Sequence, residues 1–242
     1  MPQYSERTYR EKVTAKDLLF FRVVVKETDL SVHADVKLEN QARDLVFDSR
    51  HQLETYMRFH PGFATSLLPR AEDPYAPPIV KEMIRATRKV DVGPMAAVAG
   101  AIAQYVGEGL LGFTDQVIVE NGGDIFLKAD RPLSVSVFAG ASPLSGKIGL
   151  QIPLRQMPIG ICTSSATVGH SLSMGITDAL CLLSSSAALA DGAATALGNR
   201  VKKKADLDKV ASWAGQIDGI VGGIAIVGDR MVAWGDIELG MV

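Results

Sequence analysis

The chain has 242 residues, with 25 lysines and arginines against 27 aspartates and glutamates and a formal net charge of −2. That balance excludes the broad cationic surface that sequence-independent nucleic-acid binding requires. Hydrophobic residues make up 47% and charged residues 21%, the composition of a globular chain with a sizeable core in one large domain or two small lobes.

Met1-Pro2-Gln3-Tyr4-Ser5-Glu6-Arg7 contains no apolar run and no early cysteine, so neither a signal peptide nor a lipid anchor is expected. The longest apolar stretch, Met95 to Leu111, is mostly alanine and glycine and carries Gln104 and Glu108. It falls short of the roughly 20 strongly apolar residues that cross a bilayer and reads as a buried helix, so no membrane partner is expected. Cys162 and Cys181 lack metal-site or CxxC spacing. They read as buried thiols in a reducing compartment, and the expected location is the cytoplasm.

In chain order, Leu18 to Val25 is β-branched and aromatic, and after the polar break Glu27-Thr28-Asp29 the run Leu30 to Val36 alternates with period two. Glu39 to Phe59 favours a helix that Pro61 ends. Pro69 to Pro78 reads as a surface loop, followed by a short helix near Ile79 to Arg88. Val90 to Gly93 is extended and feeds the alanine-rich helix, which opens at Pro94, where the missing N–H costs little. Strands are predicted at Gln116 to Glu120, Asp124 to Leu127, Leu133 to Phe138, Ile148 to Ile152, Ile159 to Thr163 and Ala179 to Leu183. A second alanine-rich helix spans about Ala187 to Asn199 with Ser186 as N-cap. Arg200 and Lys202 to Lys204 complement its C-terminal dipole. A short helix near Asp206 to Gly215 and strands at Gly223 to Val227 and Met231 to Ile237 close the chain. The fold class is α/β in the α+β sense, with mixed or antiparallel sheets and packed alanine-rich helices. The two small-residue helices hint at duplicated halves within a single domain spanning 1–242.

Four stretches could carry chemistry. Asp191 and Thr195 stand four apart on a helix, so a carboxylate and a hydroxyl share one face, a pair of hard donors suited to Mg²⁺ or Ca²⁺. On spacing alone a solvated Asp191 and a Thr195 bonded back to its own helix fit better. Asn121-Gly122-Gly123-Asp124 reads as a tight hairpin turn that also offers bare backbone N–H groups to a ligand. Asp91 to Ala97 is a strand-to-helix junction with Asp91 near the cap, and such a helix start favours anions such as phosphate. Thr163-Ser164-Ser165 followed by Gly169-His170-Ser171 groups hydroxyls with an imidazole that either accepts a proton near pH 7 or is a structural histidine satisfied by backbone. No GxSxG elbow, P-loop or GxGxxG accompanies them.

Taken in order, Asp91-Val92-Gly93-Pro94-Met95-Ala96, Asn121-Gly122-Gly123-Asp124-Ile125, Thr163-Ser164-Ser165 with His170, and Asp191-Gly192-Ala193-Ala194-Thr195-Ala196 resemble the motif series of ApbE proteins. Gly160 to Ser165, Gly169 to Ser171 and Ala196 to Arg200 resemble an uncharacterised ApbE-like branch more closely still. The likeness spans roughly residues 85 to 205. It implies a duplicated α/β fold and an activity that takes FMN from FAD and attaches it to a protein threonine or serine, or splits FAD into FMN and AMP. It implies Mg²⁺ held by Asp191, Thr195 and the Ala96 carbonyl, with His170 and Asp191 as catalytic residues. Asn121, Gly122, Gly123, Asp124, Thr163, Ser164 and Ser165 would lie beside the nucleotide. A protein acceptor would then be a partner, and an oligomer is compatible with the sequence. The chain departs from the family in having Ala97-Val98 where the motif has Lys-Gly, in lacking the proline shortly after the histidine, and in its shorter length without an export signal. The missing lysine removes a positive charge that could face phosphate. It makes a non-catalytic flavin or small-ligand binding module the second reading, with a structural or assembly protein the third.

Overall fold

A computed structural model of the chain describes residues 17–167 and 173–241. Two strands, β1 (Leu19–Val25) and β2 (Thr28–Ala34), lead into α1 (Glu39–Phe59), the short α2 (Gly62–Thr65) and α3 (Pro78–Arg88). A 3-10 turn at Pro94–Ala97 precedes α4 (Val98–Leu110), and the strands β3 (Val117–Asn121), β4 (Asp124–Lys128), β5 (Leu133–Ser136), β6 (Ile148–Ile152), β7 (Ile159–Ser164) and β8 (Ala179–Ser184) follow. The chain then forms α5 (Ala187–Arg200), α6 (Leu207–Ala214), β9 (Ile220–Val227), β10 (Arg230–Gly235) and β11 (Glu238–Met241).

Eight strands form one sheet in the order β1-β2-β3-β4-β7-β8-β9-β10, and β11-β6-β5 form a second. Every strand pairing described in the two sheets is antiparallel. This agrees with the antiparallel sheets and packed alanine-rich helices expected from the sequence.

Period-two alternation decides which face each residue serves. On β8, Leu180 and Leu182 join α5 and α6, whereas Ala179, Cys181 and Leu183 join Leu150 and Ile152 of the small sheet. On the first half of the large sheet, Val32, Val117, Val119 and Phe126 pack under α1, α3 and α4. Three layers result: helices, the eight-stranded sheet and the three-stranded sheet. Side chains such as Phe126, Leu150, Ile152 and Ile161 are no more than 1% exposed. Each such burial stabilises by about 1.5–3 kcal/mol before ordering costs.

Local differences from the sequence reading have physical causes. The first hairpin turns at Lys26-Glu27, with Lys26 at φ 52°, because Thr28 already pairs with Val25. Pro94 opens a 3-10 turn and the α-helix starts at Val98. Asp91 does not sit near the α4 cap. It takes φ 58° in the turn after α3, where the Val90 and Val92 N–H groups both donate to the Thr87 carbonyl. The final strand region splits, since β11 leaves the large sheet to pair with β6.

Candidate functional site

The site is built where α4 and α5 cross over the helix-facing side of β4 and β7. In the β3–β4 hairpin Asn121 pairs with Asp124, leaving Gly122 and Gly123 as the two-residue loop at φ 69° and 108°. Two central residues with positive φ define a type I′ turn, which glycine adopts without strain. The sequence placed the turn at Asn-Gly; the loop is Gly-Gly, with Asn121 as the last strand residue. Parity then sends Asn121, Asp124 and Phe126 towards the helices. Asn121 Nδ2 donates to the Ala99 carbonyl at 3.1 Å, tying the first turn of α4 to the sheet. Glu120 is buried and accepts the Gly123 N–H at 2.8 Å, which stiffens the turn.

Asp124 is 7% exposed and accepts the Thr163 backbone N–H at 3.2 Å. The Thr163 contribution is therefore its amide, and its side chain faces the other side of β7 from Cys162. The buried Cys162 thiol lies 3.2 Å from the Ala187 carbonyl at the start of α5 and sits against Asp124.

Asp191 enters from α5. Its Oδ2 accepts the Gly100 N–H at 2.9 Å, and the Ala99 N–H also bonds to this carboxylate. These are the N2 and N3 donors of α4, whose own N-cap, Ala97, has no capping side chain. Asp191 thus caps α4 from another helix. The anion that the sequence reading expected at this helix start is the chain's own carboxylate.

Burial pushes the Asp191 carboxyl up to about 7, against the lowering effect of the Gly100 and Ala99 amides. Burial also raises Asp124 well above the usual carboxylate range, and the charge of Asp191 adds to it. Cys162 is raised by burial and by the same two carboxylates, and burial pushes Cys181 to about 12. Both cysteines are free and buried, as the sequence suggested. Among the described residues no lysine, arginine or histidine forms an ion pair with Asp124 or Asp191. Two buried carboxyls raised by desolvation, with no counter-cation among the described residues, mark this site electrostatically.

Thr195 is half-buried one turn beyond Asp191, on the same face of α5. The turn holding Ala96 lies alongside, because a Cβ on Gly192 would come 3.8 Å from the Ala97 Cβ. Ala96 precedes the N-cap, whose carbonyl accepts the first bond of the α4 ladder, so the Ala96 carbonyl lies outside that ladder. Ser164 faces Gly198, about 10 Å further along α5 from Asp191 at 1.5 Å per residue. Ser165 Oγ accepts the Thr167 N–H at 3.1 Å, within the β7–β8 connection. His170 lies outside the described residues. The structure therefore brings Asn121, Asp124, the Thr163 amide and Asp191 together and sets Ser164 and Ser165 apart from them.

Sequence reasoning missed the part played by Gly100, Gln104, Glu120 and Cys162. The available signal was a glutamine inside an otherwise small-residue helix, four residues after a glycine.

Among the described residues no three His, Cys, Asp or Glu side chains gather as a metal site, and no helix is long and apolar enough to cross a membrane. A cation here would instead need carboxylate, hydroxyl and carbonyl oxygens together.

Comparison with known proteins gives this site its setting. A family model described as "AbpE bacteria" matches residues 10–227. The chain belongs to that family. Among its relatives, a UPF0280 protein of Methanocella arvoryzae is 41% identical over 212 residues, covering 87% of this chain and 86% of its own. Another, from Methanospirillum hungatei JF-1, is 42% identical over 217 residues, covering 88% and 86%. The apo flavinyl transferase ApbE of Pseudomonas stutzeri superposes with a TM-score of 0.60 at 14% identity, covering 90% of this chain and 94% of that one. The flavin transferase ApbE of Vibrio cholerae gives 0.57 at 12% identity, covering 90% and 96%. At those identities the structural likeness establishes the ApbE fold and no more.

Proposed function

We propose that this ApbE-like protein binds FAD or a related nucleotide with the help of Mg²⁺ and acts on its pyrophosphate, passing the FMN portion to a protein hydroxyl or to water. The observation that carries the reading is the Asp191 carboxylate bonded to the start of α4, with the Asp124 carboxyl raised by its charge and, among the described residues, no lysine, arginine or histidine paired with either. The donor set fits a hard divalent cation. Asp191 spends two acceptor sites on the Ala99 and Gly100 amides. A carboxylate has about four such sites, so about half remain free for a cation. Asp191, Thr195 and the Ala96 carbonyl would hold the ion, with Asp124 beside it. A bound divalent ion would supply charge neutralisation at the pyrophosphate and polarise the phosphorus.

The chain's own groups would do the rest. The Ala99 and Gly100 amides hold the Asp191 carboxylate in place. Asn121 anchors that same turn through the Ala99 carbonyl. The Gly122-Gly123 loop presents backbone that bears no side chain, and no heavy atom would lie within 4 Å of a Cβ on Gly123. A flat or phosphate-bearing ligand could approach closely there. His170, matched to the family's histidine, is assigned to accept the proton of the attacking hydroxyl.

Ala97-Val98 stands where the family motif has Lys-Gly, and this supports the second reading, a flavin-binding module without turnover. Mixing the purified protein with FAD, with and without Mg²⁺, separates the two. Release of AMP that requires Mg²⁺ is the expected result. Saturable flavin binding without AMP supports the module, and absence of any flavin effect rejects both readings.

A further inference from the structure

We infer that Gln104 is the positioning residue that fixes α5 on α4 and thereby holds Asp191 at the cation-binding position. The inference rests on the reading of Asp191 given above.

Gln104 is half-buried among the small residues of α4, and its bond to α5 is shielded from solvent in part. Its Oε1 accepts the Ala187 N–H at 2.8 Å, and its Nε2 donates to Glu108 Oε1 at 2.8 Å. The second bond turns the amide so that its oxygen faces α5.

Ala187 is gripped from two further sides. A Cβ on Gly100 would come 2.4 Å from the Ala187 carbonyl oxygen, and a Cβ on Gly160 would come 2.3 Å from the Ala187 Cα. The two glycines permit the close approach and set no direction. The Gln104 bond is directional and fixes the rise and rotation at which α5 begins. Asp191 lies one helical turn after Ala187, so whatever fixes Ala187 also fixes the carboxylate over the Gly100 N–H.

The arrangement is reciprocal. A side chain of α5 caps α4 through Asp191 and Gly100, and a side chain of α4 caps α5 through Gln104 and Ala187. The helices run antiparallel at this crossing, because Gly100 meets both Ala187 and Asp191 while Gln104, a turn later, meets Ala187. Each cap therefore holds the donor group of the other in register. A cap that only satisfied one amide would affect stability and leave the affinity for a cation untouched.

Mn²⁺ titration followed by electron paramagnetic resonance, well below the melting temperature, tests this on the full chain. Gln104→Ala is expected to weaken Mn²⁺ binding about tenfold, the lower end of what losing an outer-shell partner costs. Gln104→Glu keeps an acceptor oxygen towards Ala187 but loses the bond to Glu108, and is expected to bind Mn²⁺ more tightly than Gln104→Ala. Gln104→Met, similar in length but without an acceptor, replaces the alanine variant if that one does not fold. Amide hydrogen exchange gives a metal-free readout: Gln104→Ala should speed exchange at Gly100, across the crossing, as well as at Ala187. Faster exchange at Ala187 alone, with native Mn²⁺ affinity, overturns the inference. If the native protein binds no Mn²⁺, the reading of Asp191 fails, and the Gly100 exchange rate still decides whether Gln104 positions α5.

Discussion

Asp191→Asn is expected to stabilise the cation-free protein at pH 8 and to abolish its response to Mg²⁺. Asparagine keeps an oxygen that accepts the Ala99 and Gly100 amides and removes the charge. In the native chain the Asp191 carboxyl sits at about 7, against an ordinary value of 3.8. Between those values the folded state holds a proton that the unfolded state has released. Stability therefore falls as pH rises from about 4 to about 7, with a limiting slope of about 1.4 kcal/mol per pH unit. Asp124, raised in the same direction, adds to the fall. Asp191 keeps some solvent access, so about 2 kcal/mol is a reasonable size for its part of the loss by pH 8. The asparagine variant should flatten much of that slope. Mg²⁺ binds the ionised carboxylate, so it should raise the native Tm more at pH 8 than at pH 5. In the variant the shift should vanish and the affinity should fall by about 100-fold or more, at least the upper end for an outer-shell loss. Thermal melts at pH 5 and pH 8, with Mg²⁺ or with chelator, check each part.

Gly100→Ala is the second large effect, and here two known tendencies oppose each other. Alanine is a better helix former than glycine by about 1 kcal/mol. At this position, however, the new methyl would meet the Ala187 carbonyl at 2.4 Å and the Asp191 Cβ at 2.9 Å. One obstacle is backbone, so a helix must move. Overpacking of this kind costs about 1–3 kcal/mol, and stretching the charged Asp191–Gly100 hydrogen bond costs about 1.5–3 kcal/mol more. Sterics win by about 2–4 kcal/mol, a fall in Tm of about 5–15 °C for a chain of this size. Gly109→Ala is the control. The nearest atoms to its methyl belong to the Leu45 side chain, which can turn away, so a change within about 1 kcal/mol is expected. Equal melting temperatures for the two variants would show that the helix crossing is looser than described.

Much of the fold can be read from the chain. Short apolar runs predict β3, β4, β7 and β8 to within a residue or two, and the Ser186 cap is present, its Oγ accepting the Leu189 N–H at 3.1 Å. The ApbE resemblance of the four motif stretches agrees with the family match over residues 10–227. The site itself was less legible, because it is made by contacts distant in sequence. Asp191 and Gly100 are 91 residues apart, Ala187 and Gln104 are 83, and Thr163 and Asp124 are 39. Local spacing shows that Asp191 and Thr195 share a face of α5 and cannot show what that face meets. It does not reveal that Asp124 points at the helices, a fact set by the Gly-Gly loop and the strand register. The β11 strand escaped because its partner, β6, lies in a second sheet that only the tertiary fold brings near.

If the proposal holds, Asp191, Thr195 and the Ala96 carbonyl, with Asp124 beside them, seat a divalent cation next to the start of α4. Crystals soaked in Mn²⁺ and FAD, with anomalous scattering recorded at the manganese edge, test it most directly. An anomalous peak is expected within about 2.5 Å of an Asp191 carboxylate oxygen, with the nucleotide's phosphates on its far side. A peak elsewhere, or flavin bound with the Asp191 carboxylate turned away from it, would contradict a cation seat at Asp191.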